Sequence, residues 1–225
     1  MAIAHVIFDC DGVLVDSEPL SNRILAEELT AIGLPTTTEE SVRDFMGRPW
    51  AYGVTVIERR LGHPLPDGFA AGYHERLYEA FERQLEAVPG VVEVLDELAL
   101  PSCVASSGDH VRIRRALASA GLLERFEGRI FSAEDVRHGK PAPDLFLHAA
   151  ERMGFEPARC AVVEDSPAGA QAGRAAGMRV LGYAAFTGAG ELVHAGADAT
   201  FTDMRELPAL LTRDCAPRSA AGRSA

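Results

Sequence analysis

The chain has 225 residues, 47% hydrophobic and 24% charged, a balance that fits a globular protein and argues against both a disordered chain and a membrane-embedded one. Its 33 acidic and 22 basic residues leave a formal charge of −11 with no basic block to offset it, which argues against nucleic acid as a partner. Of the 22 basic residues 21 are arginine and one, Lys140, is lysine, so an ammonium stands at a single place.

Ile3 to Phe8 is a short apolar run ending in the acidic turn Asp9-Cys10-Asp11-Gly12, which predicts a buried parallel strand. Nothing before it has the basic, then apolar, build of a secretory signal, and no run approaches the ~18 apolar residues of a spanning helix, so a cytoplasmic location is expected. Ser17-Glu18-Pro19 opens a helix whose apolar residues Leu20, Ile24, Leu25 and Leu29 recur at helical spacing until Gly33. Thr37 and Glu40 form a capping box for a short helix reaching Gly47, and helical patterns follow over 50–61 and 68–86. The stretch 17–87 therefore reads as helices without strands, broken at Val88-Pro89-Gly90.

The rhythm then changes. Strands are predicted over Ser102–Ser106, Arg129–Phe131, Cys160–Asp165, Met178–Gly182 and Ala199–Phe201. Between and after them lie helices from Asp109 to about 120, after Pro143, over Pro167–Ala176 and over 204–212. This alternation predicts an α/β core with a parallel sheet covered on both faces, and makes the helical stretch an insertion after the first strand. The core is expected over 1–16 and 88–215, the insertion over 17–87, and a loose tail over 216–225. Cys10, Cys103, Cys160 and Cys215 are far apart with no CxxC pair and read as reduced, mostly buried thiols. His5, His138 and His148 show no ligand spacing.

Ligands of an open parallel sheet sit beyond the carboxyl ends of its strands, and here those ends are polar: Asp9 and Asp11, then Ser106-Ser107-Gly108, then Glu164-Asp165. Four acids crowded at one sheet edge call for a hard dication held by oxygen, and magnesium fits. Asp9 and Asp11, two residues apart, point to the same side, so one can attack phosphorus while the other moves a proton. Ser106, with the backbone amides of Ser107 and Gly108, can hydrogen-bond a phosphoryl group, and Lys140 adds a compact positive charge.

These residues, Asp9-Cys-Asp11-Gly12-Val-Leu-Val-Asp16-Ser17, Ser106, Lys140 in GKPAPD and Glu164-Asp165 in VVEDSPAGAQAG, resemble in order and spacing the four motifs of the haloacid dehalogenase-like hydrolase superfamily. DSEP and the helical insertion are similar to the branch with a helical cap, which includes sugar-phosphate and phosphoglycolate phosphatases and β-phosphoglucomutase. The resemblance implies a Rossmann-like core with an all-α helical-bundle cap. It implies Asp9 as nucleophile and metal ligand, Asp11 as acid/base and carbonyl ligand, Asp165 as a direct ligand, and Glu164 as a ligand directly or through water. Ser106 and Lys140 would bind the phosphoryl group.

Within the family, Asp11 and Asp165 favour phosphoryl transfer over dehalogenation, and a cap without lysine closes the Schiff-base route of the phosphonatases. Leu20-Ser21-Asn22-Arg23 stands where the mutase carries a sugar-holding histidine, so transfer to water is favoured over transfer to a sugar hydroxyl. A small phosphorylated metabolite is the expected partner, with a monomer as default. In the cap, Arg48 is a candidate clamp for a carboxylate or hydroxyls and Trp50 a stacking wall. A receiver-type signalling domain would lack the insertion, and a silent phosphate-binding protein would be expected to lack Asp9 or Asp11.

Overall fold

The structure is a computed structural model that describes residues 2–46, 48 and 50–212. The expected loose tail over 216–225, and Cys215, lie outside the described residues. Six strands form one parallel sheet in the order β3-β2-β1-β4-β5-β6, with β1 at His5–Phe8, β2 at Ser102–Ser106, β3 at Ile130–Ser132, β4 at Cys160–Glu164, β5 at Arg179–Tyr183 and β6 at Ala199–Phe201. Every residue of β1, β2 and β4 is buried, as a strand covered on both faces requires, and this is why they read as unbroken apolar runs. From β1 the chain first builds outward through β2 and β3, then returns to the other side for β4. The order therefore reverses between β1 and β4, and their carboxyl ends, carrying Asp9, Glu164 and Asp165, open the crevice where such sheets bind ligands.

Four helices follow β1: α1 at Glu18–Ala31, α2 at Thr38–Phe45, α3 at Trp50–Leu61 and α4 at Phe69–Gln84. Both halves of the Thr37/Glu40 capping box are formed. The two passages into this helical stretch run side by side: Val15 pairs antiparallel with Ala87, the Asp16 amide donates to the Glu86 carbonyl at 3.0 Å, and the Val88 amide donates to the Leu14 carbonyl at 3.0 Å. Leu25, Leu29, Leu77 and Phe81 of the helices share one apolar cluster with Val6, Phe8 and Val104 of the sheet, so burial runs unbroken from core to insertion.

The remaining helices are α5 at Val91–Glu97, α6 at His110–Ser119, α7 at Leu123–Phe126, α8 at Asp144–Met153, α9 at Pro167–Ala175, α10 at Ala189–Ala195 and α11 at Leu207–Thr212. Four of them depart from the sequence reading. Gly90, at φ +85°, starts α5 directly behind the Val88-Pro89-Gly90 break, and its valine-rich first turn masks it. The four-residue α7 is too short to show a period. Gly188-Ala-Gly190 reads as a loop, yet Gly188 is the N-cap of α10 and Gly190 lies in its first turn. The helix expected over 204–212 divides into a 3₁₀ turn at Met204–Glu206, closed by an Asp203/Glu206 capping box, and α11. Among the described residues no helix is long and apolar enough to cross a membrane. Cys10, Cys103 and Cys160 are buried free thiols.

Candidate active site

Asp9 extends the β1–β4 pairing by one residue, its amide donating to the Val163 carbonyl at 3.0 Å, and its carboxylate stands over the sheet end, 7% exposed. Lys140 reaches it from the loop before α8. Its Nζ spends all three donors, on Asp9 Oδ1 at 2.6 Å, Glu164 Oε1 at 2.7 Å and the Ala105 carbonyl at 3.0 Å. Burial works against this ammonium, but the two carboxylates outweigh it and hold Lys140 protonated, well above its ordinary range. Burial lifts the Asp9 carboxyl to about 7, with Lys140 opposing the shift and Glu164 adding to it.

Asp165 follows β4 and lies against Gly12, whose φ is +76° and where a Cβ would fall on the Asp165 carboxylate. Burial first, then Glu164 and Asp9, push the Asp165 carboxyl well above the usual range. Oxygens of Asp9, Glu164 and Asp165 lie within 4.8 Å of one another. Three buried carboxylates thus stand together with one ammonium, which bonds two of them, and an all-oxygen donor set with surplus negative charge fits a hard divalent cation. Glu164, 1% exposed, is the most engaged of the three. Its Oε2 accepts from the Ser166 amide at 2.7 Å and the Ser166 hydroxyl at 2.9 Å, while Oε1 holds Lys140.

Asp11 is held differently. Arg112, in the first turn of α6, donates to it through two nitrogens, Nε to Oδ2 at 3.2 Å and a terminal nitrogen to Oδ1 at 2.9 Å, and the Ser17 hydroxyl donates to Oδ1 at 2.7 Å. Burial would raise this carboxyl, but Arg112 and Ser17 outweigh it and hold it below the usual range. Ser106 ends β2, and its hydroxyl accepts from the Gly108 amide at 3.2 Å. Asp109 then caps α6 by accepting from the Arg112 amide at 2.7 Å.

Above these groups opens a cavity of about 540 Å³ between the sheet end and the inserted helices, bounded by Asp9, Asp11, Ser106, Ser107, Gly108, Lys140, Glu164 and Asp165 on the sheet side. Arg48 and Trp50 also line it. One face of Trp50 is taken by Tyr73, the rings parallel within 3° and 5.2 Å apart, and exposed Arg48 carries its guanidinium 5.3 Å from the Tyr52 ring. Glu18, Tyr73, His74 and Arg112 line the cavity too, and the sequence reading missed them. Burial lifts Glu18 to about 7 and Tyr73 to about 12, and lowers His74. Their signal in the sequence is only a position on an amphipathic helix, which is equally that of a core or surface residue.

Comparison with known proteins assigns the chain to a family. The haloacid dehalogenase-like hydrolase family pattern matches residues 3–177. The 6-phosphogluconate phosphatase of Escherichia coli (strain K12) is 32% identical over 209 residues, covering 92% of this chain and 94% of that protein. The fructose-1-phosphate phosphatase of the same organism is 32% identical over 177 residues, covering 78% and 93%. A haloacid dehalogenase-like protein of unknown function from Agrobacterium tumefaciens superposes with a TM-score of 0.84 at 35% identity, covering 93% and 98%. A family hydrolase from Deinococcus radiodurans, solved with bound phosphate and sodium, superposes with a TM-score of 0.78 at 31% identity, covering 93% and 95%. The chain belongs to the haloacid dehalogenase-like hydrolases.

Proposed function

We propose that this chain is a magnesium-dependent phosphatase that hydrolyses small phosphorylated metabolites, sugar and sugar-acid phosphates foremost, through an aspartyl phosphate on Asp9. The observation that carries the reading is one buried ammonium shared between Asp9 and Glu164, with Asp165 beside them, under a cavity of about 540 Å³. The two Escherichia coli relatives, named as phosphatases of a sugar acid and of a hexose, support the substrate class.

Asp9 and Asp165, with the Asp11 carbonyl, would hold magnesium, and the hydrogen bonds from Lys140 and Ser166 leave Glu164 the least suited to direct coordination. When bound, the ion supplies positive charge to the phosphoryl oxygens and lowers their repulsion from the nucleophile. An Asp9 oxygen attacks phosphorus, the ester P–O bond breaks, and Asp11, ionised in the free site between Arg112 and Ser17, passes to the departing alkoxide a proton taken up from solvent. Asp11 then takes a proton from water, which attacks the aspartyl phosphate and releases inorganic phosphate, restoring Asp9. The Ser106 hydroxyl and the Ser107 amide donate to the phosphoryl oxygens as charge shifts onto them, and Lys140 and the Gly108 amide join them by leaving their partners within the chain. The chain divides into a catalytic core over 1–16 and 88–215 and a cap over 17–87, which excludes bulk water and presents Arg48 and Trp50 to the leaving group.

A screen of phosphomonoesters with the purified protein, with and without magnesium, tests this. Phosphate release from sugar phosphates that stops with chelator and returns with magnesium is expected, and Asp9→Asn should lower turnover by at least about a thousandfold with the fold retained. Turnover indifferent to chelator, or an active Asp9→Asn protein, overturns the reading.

A further inference from the structure

Arg112 is the one cavity-lining side chain, among the described residues, that joins a candidate catalytic carboxylate to the helical insertion. Its backbone belongs to α6 of the core, where Asp109 fixes the first turn. Its stem lies along Gly108, where a Cβ would press to 3.1 Å from Arg112 Cδ, so the course of the side chain is set by a missing methyl group. Its guanidinium grips both oxygens of Asp11, and the guanidinium carbon lies 5.4 Å from the ring centroid of Phe81 on α4. A two-toothed contact fixes the plane of a carboxylate as well as its position, which a single hydrogen bond does not. Phe81 is fully buried in the cluster shared by sheet and insertion, so the surface on which the guanidinium rests moves only if α4 moves.

We infer that Arg112 is a positioning residue that sets the orientation of the Asp11 carboxylate according to how α4 is seated on α6. The assignment rests on the phosphatase reading above and extends it to a residue outside the family motifs. A neighbouring contact serves as its control. Arg115, one turn along α6, lies 4.9 Å from the Tyr78 ring centroid of α4 and 3.9 Å from Glu82, an exposed contact with the same helix that is too weak to set its seat and does not reach Asp11. A residue that merely touched both helices would act as Arg115 does; one that orients the acid acts most where a leaving group needs a proton.

The test is single-turnover release of the leaving group, with enzyme in excess and magnesium present, from two substrates. One is the sugar phosphate that the screen finds fastest, whose alkoxide must be protonated. The other is acetyl phosphate, whose acetate leaves without a proton. Arg112→Met should slow release from the sugar phosphate about tenfold or more and from acetyl phosphate by less than about threefold, with KM for either moved less than about threefold. Phe81→Leu should act in the same sense, and the Arg112→Met, Phe81→Leu double variant should be no slower than Arg112→Met alone. Arg115→Met should leave both rates unchanged. Should Arg112→Met fail to fold, Arg112→Lys keeps the charge, loses the two-toothed grip and should show the same asymmetry. Equal slowing of both substrates, additive effects of Arg112→Met and Phe81→Leu, or a change confined to KM overturns the assignment alone. A wild-type protein that turns over neither substrate overturns the phosphatase reading and the assignment with it.

Discussion

Glu164 is the acid of the buried cluster that the chain itself holds most fully. Its two oxygens accept from Lys140, the Ser166 amide and the Ser166 hydroxyl, and it stays in place because α9 leaves room for it at Gly169. A Cβ on Gly169 would fall on the Glu164 carboxyl group. Alanine normally improves a helix by ~0.5–1 kcal/mol over glycine. Here it must displace a carboxylate anchored by three hydrogen bonds, and overpacking of this kind costs about 1–3 kcal/mol. The clash wins. Gly169→Ala should lower stability on balance, read as a lower urea midpoint, and should reduce turnover because Lys140 loses a partner; a more stable and fully active variant would refute it. Asp9, Asp11, Ser106, Glu164 and Asp165 were legible in sequence because each ends or follows a strand, where a polar residue has no packing reason to be, and Lys140 because it is the one lysine of the chain. Arg112 was not, because an arginine in the first turn of a helix looks the same whether it faces solvent or a carboxylate 101 positions away in the chain.

Elements were legible where one residue type has one physical meaning. Thr37 and Asp109 cap the helices they were placed at, by accepting from a backbone amide in the first turn, and Ser166, which the sequence reading did not name as a cap, caps α9 in the same way. Boundaries blurred where the signals conflict: the valine-rich start of α5, the glycines opening α10 and the four-residue α7. Helix α4 offers a contrast with α9. Gly72 sits in its first half, without a left-handed φ, and a Cβ there would meet nothing within 4 Å. Gly72→Ala should therefore stabilise the protein by ~0.4–1 kcal/mol, chiefly by restricting the unfolded chain, and raise the urea midpoint without altering KM. The same substitution thus carries opposite signs in two helices, and what decides is whether a carboxylate stands where the methyl group would go. An unchanged or lower midpoint for Gly72→Ala would remove that distinction.

Across the whole molecule, pH acts through groups at opposite ends of the sheet and with opposite signs. At the carboxyl end of the strands burial raises the Asp9 and Glu18 carboxyls to about 7. A raised carboxyl holds its proton where the unfolded chain has lost it, so without metal these two stabilise the protein at low pH and lose that contribution as pH rises toward and through 7. At the other end His5 opens β1, fully buried, with its Nε2 3.2 Å from Cys103 Sγ and its ring stacked on Phe155 at 4.6 Å. Burial lowers His5 to about 4. Its contribution is present above the unfolded value near 6.5 and is lost as pH falls from there to about 4, because the unfolded chain takes up the proton first. The two effects overlap between pH 4 and 7, so the wild-type curve alone hides the histidine. His5→Phe keeps a ring against Phe155 and removes the titration. Compared by urea unfolding in chelator, wild type should lose stability relative to His5→Phe as pH drops from 6.5 toward 4, with a constant difference above 7. A difference that stays flat across that range would mean that His5 is protonated as readily in the folded sheet as in the open chain.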